Sequence, residues 1–134
     1  MFLPSSPVHL VGEWIPALDG VEAKLRAGAY VALVGGGCPL VTELEDAFPH
    51  SRFDAFDDHR IPGAFYDLVA CWEYLRGRDD PVAVARHIHG CLADDGTWLV
   101  VDVADFTDAM VAGGFSSARR VCDTPLHLVL EARP

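Results

Sequence analysis

Val31-Ala-Leu-Val-Gly-Gly-Gly-Cys-Pro-Leu40 decides how this chain is read. A short β-branched apolar run meets three glycines, and a helix-like segment, Leu40 to Phe48, follows. That is the outline of a strand, a turn whose bare backbone can approach a nucleotide, and a helix N-terminus. Pro39 suits the first helical position, where its missing N–H has no partner to lose. Further on, Phe53-Asp-Ala-Phe-Asp57 reads as a second strand closing on an acid. In such folds an acid at this place reaches a ribose hydroxyl.

Outward from this core, strands and helices alternate. Asp19 and Glu22 form a capping box for a helix to about Arg26, and Gly28 suits its stop. Strands are expected at Val31–Val34, Arg52–Phe56 and Tyr66–Cys71. Asp80-Pro81 starts an amphipathic helix that carries Val82, Val84, Ala85, Ile88 and Leu92. Asp94-Asp95-Gly96 is a turn, and Thr97–Val103 a central strand covered on both faces. A short helix, Thr107 to Ala112, precedes a hairpin of Ser116–Val121 and Leu126–Ala132 turning at Asp123-Thr-Pro125. The pattern predicts an α/β three-layer sandwich, Rossmann-like, with a mostly parallel sheet and a C-terminal antiparallel hairpin. The crevice at the strands' carboxyl ends then gathers Gly35–Cys38, Asp57–His59, Cys71–Tyr74 and Asp102–Asp105.

At 134 residues, 51% of them hydrophobic and 22% charged, one minimal domain spanning residues 1–134 is expected to fold around a single core. A formal charge of −10 with one lysine, Lys24, argues against nucleic acid and anionic membranes as partners. No apolar run reaches the ~20 residues of a membrane span, and Met-Phe-Leu-Pro-Ser-Ser-Pro lacks the regions of a secretory signal. A cytoplasmic protein is the expectation. The four cysteines, Cys38, Cys71, Cys91 and Cys122, form no C-x-x-C pair, so buried thiols are expected. At a helix N-terminus, Cys38 would be more acidic than usual.

The order of these pieces resembles the class I S-adenosylmethionine-dependent methyltransferases of small-molecule type. Leu25-Arg-Ala-Gly-Ala-Tyr-Val-Ala-Leu-Val-Gly-Gly-Gly37 matches the lead into their glycine motif. Ala47 to Asp57, Tyr66-Asp-Leu-Val-Ala70, Leu92 to Val101, Gly113-Gly-Phe115 and Leu128 to Pro134 match later segments. The resemblance implies cofactor contacts at Gly35, Gly36, Gly37 and Asp57. It also exposes three departures. Where the family has the acid that holds the methionine ammonium, this chain has Leu33, and Pro39 replaces the third glycine. Only eight residues, Asp58 to Phe65, join Asp57 to Tyr66, too few for the family's next helix and strand with its adenine-reading acid. An extended return still fits, since nine steps span at most ~30 Å against a ~17 Å strand and ~10 Å of lateral travel. Ile61-Pro62-Gly63 would bend it. Only Phe106 to Ala112 stand where the family roofs its substrate with a long insert.

Two residues are candidates for chemistry. Glu73, beside Trp72 and just after the third strand, is either a general acid or base or a solvated loop acid. His59, next to Asp57 and Asp58, is expected to keep its proton. Asp102 and Asp105 serve as substrate contacts or helix caps. His87 and His89 are two apart on a helix and should not share a metal; none is expected. His50 and His127 read as surface or strand residues, and Arg119-Arg120 as a solvated edge.

The expected function is therefore a methyltransferase-like fold with a degenerate cofactor motif. It would bind or act on a small organic molecule in biosynthesis without methylating it, by acid–base chemistry or by templating a cyclisation. A minimal working methyltransferase that still binds S-adenosylmethionine is one alternative, and a non-catalytic partner of a larger homologous enzyme is another. The missing unit leaves Phe53 and Phe56 near an open sheet edge, so a homodimer is expected to cover it.

Overall fold

Each central strand sends one apolar row to either side of the sheet, and helices cover both rows. The computed structural model describes residues 14–18, 20–35, 44–61, 65–123 and 128–134, apart from the side chain of Cys122. In chain order the elements are α1 (Ile15–Ala17), α2 (Val21–Ala27), β1 (Tyr30–Val34), α3 (residues 44–47), β2 (Arg52–Phe56), β3 (Tyr66–Trp72), α4 (Pro81–Cys91), β4 (Leu92–Asp102), α5 (Thr107–Ala112), β5 (Ser117–Asp123) and β6 (Leu128–Arg133). They form a six-stranded sheet in the order β2-β1-β3-β4-β6-β5. The first four strands run parallel; β6 is antiparallel to β4, and β5 to β6.

Period two sets the layers. Val31, Leu33, Leu99 and Val101 pack under α1, α2 and the 44–48 segment, together with Trp14, Leu25 and Phe48. Ala32, Val34, Val69, Cys71 and Val100 pack under α4 and α5 through Val84, Ile88 and Met110. This is the expected three-layer α/β sandwich. Trp98 anchors the second layer: it is fully buried, lies 5.2 Å from the Phe115 ring, and its indole N–H donates to Cys71 Sγ at 3.2 Å. Gly113 is required where α5 meets α4, because a Cβ there would collide with Ala85. No helix among the described residues is long and apolar enough to cross a membrane.

The local signals mostly act as expected. Asp80 accepts from Ala83 N–H at 3.0 Å and starts α4. Gly28, with φ 118, ends α2, its N–H bonding Lys24 O at 2.9 Å. Two expectations need correction. The capping box is not formed as written: α2 begins after Gly20, with φ 76, and Glu22 turns to Arg26 at 3.4 Å. Asp19 lies outside the described residues. The Asp94-Asp95-Gly96 turn is a bulge within β4, since register jumps from Tyr66↔Leu92 to Leu68↔Thr97. Two contacts hold it. Lys24 binds both the carbonyl and the carboxylate of Asp95, and Gly96 lies where a Cβ would be 2.8 Å from Tyr66 O.

The described part of the return from β2 to β3, residues 57–61 and 65, has neither helix nor strand. Among the described residues β2 ends the sheet, as the short connection implies. Pro62, Gly63 and the hairpin turn at Thr124 and Pro125 lie outside the described residues.

Candidate functional site

The carboxyl ends of β1, β2, β3 and β4 meet through a small set of contacts. Gly35 leaves β1 with φ 84, and its N–H bonds Phe56 O at 3.1 Å. A Cβ there would sit 2.7 Å from Trp72 O and 3.5 Å from Tyr74 Cβ, so the first glycine is required by the protein's own packing. Gly36, Gly37, Cys38 and Pro39 lie outside the described residues. Asp57 stands exposed at the end of β2. Leu33 is buried in the apolar layer beneath α2, only 1% exposed. An isobutyl group there offers no acceptor to an ammonium.

Tyr74 is the residue that ties these ends together, and sequence reading missed it. It is 6% exposed, and Arg78 lies over its ring at 4.7 Å. Its hydroxyl accepts from the His59 backbone N–H at 3.0 Å and lies 2.7 Å from His59 Nδ1. The His59 ring also sits edge-on to the Tyr74 ring, with centroids 5.8 Å apart. The expectation that two carboxylates keep His59 charged needs correction. Burial pushes its pKa below the ordinary value, and His87, Arg60 and Arg78 add to the effect; Asp58 opposes it without prevailing. Asp58 is already engaged. It takes the Arg60 backbone N–H at 2.6 Å and its guanidinium at 2.7 Å, which hold the carboxyl at about 2.

Glu73 precedes Tyr74 in a left-handed conformation, φ 51, unusual outside glycine. Its N–H bonds Val101 O at 2.7 Å, and its carboxylate lies 3.4 Å from Arg76. Trp72 lies 6.0 Å from Trp14, centroid to centroid. The 3-10 turn after Glu73, Leu75–Gly77, hangs from Asp102. That carboxylate is wholly buried and accepts from Leu75 N at 2.9 Å, Arg76 N at 3.2 Å and Val103 N at 2.8 Å. Of the two roles open to Asp102, holding a turn is the one built. Asp105 likewise accepts from Thr107 N and Oγ1 at the start of α5, and these bonds hold its carboxyl below the usual range.

The remaining candidates have structural positions. Burial pushes the Cys71 thiol up to about 12 and raises that of Cys91, so neither is poised as a nucleophile. His87 faces His59 at 5.7 Å while His89 packs edge-on to Phe115 at 5.1 Å, so the two diverge. Among the described residues no group of three His, Cys, Asp or Glu is placed to hold a metal. Arg119 is not simply a solvated edge residue: it meets the buried Glu131 at 2.6 Å. Away from the crevice, two open cavities of ≈ 560 and ≈ 530 Å³ flank the β2 edge.

No protein-family model and no curated protein matches the chain. Solved structures do. CalO1, a methyltransferase in calicheamicin biosynthesis seen in its SAH-bound form, superposes with TM-score 0.72 at 14% identity, over 96% of this chain and 54% of that one. The mitomycin 7-O-methyltransferase MmcR gives 0.68 at 17% identity, over 95% and 54%. Human N-acetylserotonin methyltransferase, in complex with SAM, gives 0.65 at 14% identity, over 95% and 54%. The chain spans about half the length of these proteins. It has the Rossmann-like fold of the S-adenosylmethionine-dependent small-molecule methyltransferases.

Proposed function

We propose that this chain is a methyltransferase-fold protein that binds or acts on a small organic molecule without taking a methyl group from S-adenosylmethionine. The observation that carries this reading is Leu33, an apolar side chain only 1% exposed at the place where the resembled enzymes carry the acid for the methionine ammonium. It offers that ammonium no acceptor, although Asp57 would suit a ribose. The fold neighbours solved with SAM or SAH favour ancestry in cofactor use.

The groups left for chemistry are His59 and Glu73. His59, held below its ordinary pKa by burial, is placed to exchange a proton with a bound ligand. Glu73 supplies a carboxylate beside Arg76. Together they suit proton transfer or the orientation of a polar small molecule, in a biosynthetic step that gains no methyl group.

The test is incubation of the purified chain with methyl-labelled S-adenosylmethionine and a panel of phenols and hydroxylated heterocycles, read for label transfer and for ligand-induced thermal shifts. The expected result is no transfer with at least one acceptor-like compound raising the melting temperature. Label transfer with turnover would overturn the reading in favour of a minimal methyltransferase.

A further inference from the structure

The β2 edge carries an inference that does not depend on the cofactor reading. Arg52 N–H bonds Ala29 O at 2.8 Å, and Phe56 O accepts from Gly35 N–H at 3.1 Å. Both residues thus turn their backbone groups toward β1. Alternation along a strand then points the N–H and C=O of Phe53 and Ala55 outward, where β2 has no neighbour among the described residues. An open edge of this kind is a template for another strand. Beside it lies the ≈ 560 Å³ cavity, lined by Tyr30, Arg52, Asp54, Phe56 and Tyr66. Tyr30 and Tyr66 stack there at 4.2 Å, and Arg52 lies over Tyr30 at 5.2 Å.

We propose that a second copy of this chain pairs with β2 antiparallel about a two-fold axis at Phe53, extending the sheet across two protomers. Charge complementarity selects the copy and the register. Outward-facing backbone at Phe53 and Ala55 allows two-folds centred on Phe53, Asp54 or Ala55. Centring on Asp54 sets like carboxylates face to face, which is unfavourable. Centring on Phe53 sets Arg52 of each protomer opposite Asp54 of the other, on the aromatic face of the sheet. Both side chains reach the surface, 74% and 28% exposed, and already meet within one strand at 3.5 Å. The pairing closes a four-charge ring and joins the outward Phe53 N–H and C=O to their symmetry mates.

Sedimentation equilibrium of the full 14.5 kDa chain at tens of micromolar is expected to show a dimer. Arg52→Asp is expected to weaken it by about tenfold, by facing Asp54 of the other protomer with a second carboxylate. The double swap R52D/D54R is expected to restore it. Register is read by oxidising F53C, D54C and A55C separately beside the unsubstituted chain, whose Cys71 and Cys91 are buried. Hydrogen-bonded antiparallel pairs lie about 5.5 Å apart at Cα, within disulfide reach, so F53C should cross-link most completely. Stronger cross-linking of D54C or A55C would overturn the register. A monomer at these concentrations, with none of the three variants cross-linking, would overturn the dimer.

Discussion

The two edges of the sheet are built on opposite plans. At β5, the outer strand carries Arg119 and Arg120, and both are paired. Arg119 meets Glu131 at 2.6 Å and reaches Ala17 O at 3.4 Å, while Arg120 holds Asp105 at 3.1 Å. Glu131, only 4% exposed, also takes Arg133 at 2.8 Å. Charge thus guards that edge and staples the α1 region to it. At β2, the outer strand carries Phe53 and Phe56 with one exposed arginine, beside an aromatic cavity. One edge is finished by charge within the chain; the other, among the described residues, has no partner strand and leaves room for a second chain.

The difference can be tested from the middle of the sheet outward. Trp98→Ala removes the anchor that both edges depend on and is expected to cost about 3–5 kcal/mol in chemical denaturation, enough to leave little folded protein. Arg119→Ala deprives a buried carboxylate of its closest partner. A loss of about 1–3 kcal/mol is expected. Arg52→Ala, the same substitution at the other edge, should change monomer stability by less than about 0.5 kcal/mol, because its ion pair is exposed. Equal losses at the two edges would erase the distinction. The pH response is smaller and belongs to the crevice. His59 has its pKa lowered on folding, so the unfolded chain binds its proton more readily. Stability should therefore be full above the unfolded value of about 6.5 and decline as pH falls below it. The lowered carboxyls of Asp58, Asp95 and Asp105 titrate further down and do not contribute in that window. His59→Gln should flatten the melting-temperature profile between about pH 7.5 and about pH 5.5.

Much of the fold was legible because its signals are local. The β1 run into glycine, the Asp80-Pro81 start and the strand at Arg52–Phe56 depend on neighbours in sequence, and so does the expected Thr97–Val103 strand, which β4 (Leu92–Asp102) covers up to Asp102. The eight-residue connection also fixed β2 as an edge by arithmetic alone. The misread features are those decided at a distance. Asp94–Gly96 became a bulge because Lys24, far earlier in the chain, holds Asp95. His59 has its pKa lowered because tertiary packing buries it and brings His87 and Arg78, distant in sequence, close by. Arg119 looked solvated because its partner, Glu131, is brought opposite only by the β5–β6 register. A charge state or an ion pair across strands has no spacing rule to betray it.

Calorimetric titration of the intact chain with S-adenosylmethionine and S-adenosylhomocysteine tests the proposed loss of cofactor use most directly. No heat of binding is predicted from either compound up to millimolar concentration. Saturable binding in the micromolar range would contradict the proposed loss, showing that Leu33 is no obstacle to the cofactor.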